Sequence, residues 1–403
     1  MKHVTPYSVF EASAAAPAAL TPEQVEWLNQ CTEDTWKLNP QTGLVDVDGS
    51  FDCSEQGLSE FKGVRFGVVR GCFNCEKNLL TSLVGAPREV RGSFWCRDNQ
   101  LTSLVGAPEK VGEDFDCGSN RLTSLVGAPQ EVGSFYCYNN LLTSLVGAPR
   151  EVGGVFSCDD NQLTSLGGAP REVGDGFSCD NNHLTSLVGA PRKVGGHFHC
   201  EDNQLTSLEG APQKVGGDFY CGSNLLTSLE GAPRKVGDRF LCSNNRLTSL
   251  VGAPREVGGS FACENNLLTS LVGAPRKVGW GFFCSNNQLT SLEGAPREVG
   301  FSFNCYNNRL TSLVGAPRKV SEDFFGEDRI YFWDNPVPER TLKSIFSLMK
   351  KGASYEEVLR EKWKEYSHEL KSLLYRAEYQ WIPQEEHKML SALNKVNSVL
   401  KWI

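Results

Sequence analysis

Apolar residues in the middle of the chain follow neither a helical nor a simple alternating rhythm; they recur in a unit of about 21 positions. Cysteines at 53, 75, 96, 117, 137, 158, 179, 200, 221, 242, 263, 284 and 305 mark the phase, with successive gaps of 22, 21, 21, 20 and then 21 eight times. Around Cys96, Phe94 precedes by two and Asn99 follows by three; Leu101, Leu104, Ala107, Pro108 and Val111 come next. The unit reads F-x-C-x-x-N-x-L-T-S-L-x-G-A-P-x-x-V-G-G-x. Phe94 and Cys96 have the period-2 spacing of a short strand, pointing to one face while Ser93, Trp95 and Arg97 point to the other. Two or three inward side chains cannot build a core alone. Identical coils must therefore pile up about 4.8 Å apart, Phe on Phe and Cys on Cys. The pattern predicts a repeat solenoid of about thirteen units.

The rest of each unit fits that reading. Twelve units, from Asn78 to Asn308, carry an asparagine whose buried amide can serve backbone groups of its own and the adjacent coil. Leu101 and Leu104 turn the chain inward again, and Gly106-Ala107-Pro108 stops any helix, so the returns are extended or turn-like. Residues 1–43 form an N-terminal segment with a capping helix: Thr21-Pro22-Glu23-Gln24 is a helix start leading through Val25, Trp27 and Leu28 toward Trp36. The solenoid occupies 44–328. Its first strand lies in Leu44–Cys53, and Leu58, Phe61, Val64, Phe66 and Val68 belong to an irregular first unit. It degenerates where Phe324, Phe325 and Gly326 take the places of Phe303, Asn304 and Cys305, with Arg329 where the asparagine belongs. Residues 329–403 then predict three helices: one with Leu342, Ile345, Phe346 and Met349, one capped by Ser354 and Glu357, and one with Met389, Leu393, Val396 and Leu400. They read as a C-terminal helical cap.

The order L-x-x-L-x-[LVC]-x-x-N-x-L-x-x-L-P resembles the short bacterial class of leucine-rich repeat found in secreted effectors. Val132, Phe135, Cys137, Asn140, Leu142 and Leu145 match its spacing residue for residue. Most other units have one residue more between valine and phenylalanine, as with Val152 and Phe156, which predicts a small bulge. The resemblance covers 45 to about 326 and implies stacked parallel strands that bind a partner. Near-identical arrays also look like uncharacterised reading frames of bacteria and their phages. Some effectors of this class carry a helical ubiquitin ligase; its catalytic cysteine has no counterpart after Cys305.

Charge narrows the partner. The net charge is -8, and basic and acidic groups number 5 and 10 over residues 1–70, 22 and 24 over 71–320, and 13 and 14 over 321–403. No segment offers the cationic field that tracks phosphates, so no nucleic acid is expected. Nothing approaches the length of an apolar membrane span, and Glu11 and Pro17 interrupt the Ala-rich start that might pass for a signal. Thirteen inward cysteines suit a reducing, cytoplasmic setting, where a free thiol is a small core residue. Cys31 and Cys72 stand outside that column.

Candidate chemistry sits on the outward strand face, where the units differ most. It comprises Trp95, Asp114, Asp116, Tyr136, Tyr138, Asp159, Asp160, Asp180, His197, His199, Glu201, Asp202, Asp218 and Tyr220, with Phe283 and Tyr306 further along. Aromatic anchors among carboxylates suit a protein partner with a basic patch, and the expected role is a non-enzymatic scaffold, in one version a phage-derived protein that sequesters a host or defence protein. The alternative is a polysaccharide hydrolase or lyase with Asp159, Asp160, Glu201 or Asp202 as acid and base. His197, His199 and Glu201 lack the local spacing of a zinc site, and Asp46-Val47-Asp48-Gly49 lacks the distal glutamate of a calcium loop. No cofactor is implied. A second edge carries Arg88, Arg150, Arg171, Arg192, Arg234, Arg255, Arg276, Arg297 and Arg318, each before a Glu or Lys; its alternation with Glu89, Glu151, Glu172, Glu256 and Glu298 predicts a self-paired, solvated edge.

Overall fold

A computed structural model describes residues 19–310, 315–317, 319–320 and 329–331. The chain divides into two compact units, Met1–Phe219 and Tyr220–Ile403, each built from the same coil. Every regular coil contains two very short strands. In the first unit one ladder runs through Phe51–Asp52, Phe73–Asn74, Phe94–Trp95, Asp114–Asp116, Ser134–Tyr136, Phe156–Ser157, Phe177–Ser178 and Phe198–His199. Neighbours are parallel, and phenylalanine faces phenylalanine at each step from Phe51 to Phe198. The second unit repeats this with Phe240, Phe261, Phe282 and Phe303.

The other strand of each coil lies on the return. Glu151–Val152, Glu172–Val173, Lys193–Val194 and Lys214–Val215 form a second parallel ladder with valine opposite valine. Non-helical returns are thus present, and they are more regular than turns. The 20-residue unit between Cys117 and Cys137 interrupts this ladder: Glu131 keeps only an isolated bridge to Lys110. The bulge expected from the extra glycine is not found inside a ladder. That residue falls in the corner between Val152 and Phe156, where Gly154 N donates to Gly133 O at 2.7 Å, so both ladders keep register.

Stacking fills the core. From Phe73 to Phe219, successive rings lie 5.3–5.6 Å apart and within 18° of parallel. These rings, the stacked cysteines and both leucines of each coil are fully buried, and each phenylalanine contributes about 2–3 kcal/mol by leaving water. Asparagine holds the coil backbones together. Asn182 Nδ2 donates to Cys158 O, Cys179 O and Asp180 O at 3.1, 3.2 and 2.9 Å, while its Oδ1 accepts from Leu163 N at 3.0 Å. One amide therefore satisfies polar groups of two coils where water cannot reach. At the far corner Leu104-Val105-Gly106-Ala107 is a turn closed by Ala107 N donating to Leu104 O at 3.0 Å. Gly106 has φ +94, and a Cβ there would lie 2.8 Å from the Leu83 carbonyl of the preceding coil, so only glycine fits.

The N-terminal helix is Pro22–Cys31, started by a Thr21–Gln24 capping box. Its Trp27 ring packs edge-on against Phe51 at 5.3 Å and Phe66 at 6.3 Å. The helix does not reach Trp36. The backbone is extended at Thr32, and Trp36–Leu38 is a strand antiparallel to Val45–Val47. Leu44–Cys53 likewise holds two strands, Val45–Val47 and Phe51–Asp52, with a bend at Gly49 where a Cβ would meet Asp34 at 2.7 Å. At the other end Arg329–Tyr331 pairs with Ser302–Asn304, which puts Ile330, not Phe324, opposite Phe303. The three helices expected over 329–403 lie outside the described residues.

Candidate functional site

In the first unit the strand face falls into two stretches. Trp95 stands between Asn74 and Asp116, and Tyr136 between Asp116 and Ser157. Arg97 anchors this part: its Nε donates to Glu76 at 2.7 Å, and it is also hydrogen-bonded to Tyr138. The Tyr138 ring lies over Gly118, whose missing side chain makes the room. Burial pushes the Tyr138 hydroxyl up. Asp116 accepts from Gly118 N at 2.9 Å, and burial raises its carboxyl to about 6 in spite of nearby Arg97. Asp114 leads the same strand; its amide donates to Ser93 Oγ at 3.4 Å. Ser93 itself is buried and does not belong to the exposed face.

The second stretch is acidic. Asp159 accepts from Ser157 Oγ at 2.7 Å, from Ser178 Oγ, and from Asp180 N at 2.9 Å. Asp180 accepts from Glu201 N at 2.6 Å. Burial first, and the charge of Asp159 second, push the Asp180 carboxyl up to about 7, so it is half protonated near neutrality. Glu201 is raised too, by burial and then by Asp202. His197 lies over Gly176, with its ring 4.7 Å from that of His199. Asp218 ends this stretch one residue before Phe219, and its carbonyl accepts from Phe198 N at 2.8 Å. In the second unit Tyr220 carries Arg239 over its ring at 5.4 Å, Phe283 covers Gly281, and Tyr306 N donates to Asn304 Oδ1 at 3.4 Å.

Two of the expected residues do not belong to the face. Asp160 and Asp202 lie past the strands in exposed turns, with φ of 52 and 50. The same turn holds Asp98, Ser119, Asn139 and Asn181, all with positive φ, and short polar side chains tolerate that conformation best. Backbone geometry explains these two carboxylates, whereas Asp159, Asp180 and Glu201 stay on the face. Among the described residues no group of three or more His, Cys, Asp or Glu is arranged to hold a metal ion. Asp46 accepts from Val68 N at 2.8 Å, and Asp48 is held low by the Thr35 hydroxyl and by Lys37 and Arg70, so both serve the first coil.

The cysteine column is inert. Cys158 Sγ donates to Ser178 O at 3.3 Å, the same contact recurs at Cys137 and Cys179, and burial drives these thiols far above their ordinary range. Cys31, outside the column, is also buried, with Gln56 Nε2 donating to its sulfur at 3.2 Å, and its thiol is raised as well. Cys72 is half-buried and accepts from Ser93 N at 3.4 Å. Sequence reading passed over one surface altogether. Val84, Val105, Val126, Val146 and Val188 occupy a single turn position and are 53–61% exposed. The signal was an apolar residue at the variable site of L-x-G.

No protein-family model matches the sequence, and no curated protein does. Solved structures do. YopM, a leucine-rich effector protein from Yersinia pestis, aligns with a TM-score of 0.53 at 20% identity, covering 72% of this chain and 78% of that one. The fold is a leucine-rich repeat. YopM from Yersinia enterocolitica WA-314 aligns at 0.44 and 18% identity over 71% of this chain and 78% of its own. The leucine-rich repeat domain of APL1B aligns at 0.45 and 15% identity over 78% and 93%. In this leucine-rich repeat the usual inward strand leucines are replaced by Phe and Cys, and no described helix is long and apolar enough to cross a membrane.

Proposed function

We propose that the chain is a non-enzymatic scaffold that holds a protein with a basic patch against the strand face of its first unit. One observation carries this reading: Trp95 and Tyr136 sit two coils apart, both partly exposed, on either side of Asp116, with Asp159, Asp180 and Glu201 further along. Stacking does not need aromatic side chains on the outside, whereas a partner does. Leucine-rich repeats serve in general as interaction scaffolds, which supports the coarse reading. Its finer form is a phage-derived protein that sequesters a host or defence protein in the cytoplasm; that rests on the resemblance of the repeats to phage reading frames and on the free thiols.

Pull-down from bacterial cytosol with Trp95→Ala/Tyr136→Ala beside the unaltered chain tests it. The variant is expected to lose capture by about tenfold or more while its melting temperature stays within a few degrees. Equal capture by both would discard this face. The competing reading is glycan cleavage, for which Asp180, as a proton donor near pH 7, is the supporting observation. Cleavage of a glycan panel that vanishes in Asp180→Asn would replace the binding reading.

A further inference from the structure

Among the described residues, the arginines that follow the prolines make no ion pair. In the second unit Arg234, Arg255, Arg276 and Arg297 hold one position in four consecutive coils, all exposed. Arg276 N and Arg297 N donate to Arg255 O and Arg276 O at 3.0 Å, so these residues stand side by side at the strand spacing of about 4.8 Å. The sequence predicts that neighbouring glutamates neutralise them. Two of those glutamates pair within their own column instead: Lys277 Nζ lies 3.7 Å from Glu298, and in the first unit Lys193 lies 3.5 Å from Glu172; Lys110 likewise lies 3.0 Å from Glu131. Among the described residues no carboxylate comes within ion-pair distance of the four guanidiniums. Like charges borne on adjacent backbones repel one another, and an anion bound along the row relieves that repulsion.

We propose that this ladder binds an extended acidic polypeptide. Guanidinium forks match carboxylates two hydrogen bonds at a time. Same-side carboxylates of an extended strand are spaced by roughly 7 Å, a mismatch that flexible arginine stems absorb. Apolar contact is at hand in the same coils: Val251 and Val272 are 49% and 50% exposed, each four residues ahead of Arg255 and Arg276. Peptide side chains use such contacts and a sugar–phosphate backbone does not. The net charge of -8 also opposes a densely charged polymer, whereas a short peptide feels mainly the charges within a Debye length. This reading is independent of the strand face, and failure of either leaves the other standing.

Fluorescence anisotropy of a labelled peptide of alternating glutamate and valine, added to the full chain at low salt, tests it. Oligothymidylate and inorganic polyphosphate serve as the competing probes. The peptide is expected to bind, and to bind less well as salt is raised. Arg255→Gln/Arg276→Gln/Arg297→Gln should weaken it about ten- to a hundredfold, from two- to fivefold per arginine, and Lys235→Gln/Lys277→Gln by about twofold at most. If circular dichroism shows the triple variant misfolded, Arg276→Gln carries the test with its two- to fivefold loss. Absent binding, equal losses in the arginine and lysine variants, or tighter binding of either phosphate polymer would each overturn the proposal.

Discussion

Asp180 shows how far one carboxyl can be shifted by its place in a stack. It lies two residues past the Phe177–Ser178 strand, the Asp159 oxygens are next to it, and burial leaves it at about 7 against an ordinary 3.8. Between those values the folded chain holds a proton that the unfolded chain has released, so stability falls as pH rises through the window. Asp116, raised to about 6, adds to the same slope. The melting temperature should therefore drop between about pH 4 and 7, and Asp180→Asn, which cannot ionise, should show a shallower drop. An unchanged slope in the variant would mean that Asp180 is not the group responsible. None of this was legible beforehand: sequence located the residue, but burial and the distance to Asp159 come from pairing 21 positions apart. Asp160 and Asp202 show the opposite error, since they look like neighbours of the acids and are set aside by a turn whose left-handed φ lies outside any period-2 rule.

At the scale of the element, the phenylalanine ladder was fully legible because a period of 21 with an inward Phe admits only one stacking register. Phe177 lies between Phe156 at 5.6 Å and Phe198 at 5.3 Å. Phe177→Ala should cost about 3–5 kcal/mol in urea unfolding, because neighbouring coils are tied by two ladders and cannot close the cavity. A loss under about 1 kcal/mol would show that the coils collapse onto each other. The second ladder was only partly legible. Two-residue strands such as Glu172–Val173 lie below the length at which a pattern can be recognised, and they exist because the adjacent coil presents the same two residues in register. The Thr21 cap was readable and the end of its helix was not, since Trp36 is drawn off by pairing with Val47.

Each coil is held chiefly by its two neighbours, so length is adjustable. Excising residues 158–178 joins Ser157 to Cys179 and reproduces the strand F-S-C-D across the junction. The shortened chain is expected to give the same circular dichroism spectrum and to melt cooperatively, at a temperature a few degrees lower. Loss of cooperative melting would contradict nearest-neighbour stacking. Composition, period and the inward positions of the repeated phenylalanines, cysteines and asparagines from Phe73 to Asn308 were settled by the sequence, because identical units can bury phenylalanine and asparagine only on one another. Tertiary structure alone decided which charges meet. Lys277 finds Glu298 while Arg276 finds no carboxylate, and Asp180 rather than Asp160 is the buried acid. Those outcomes depend on what lies one coil above and below, at distances of a few ångströms that no spacing along the chain records.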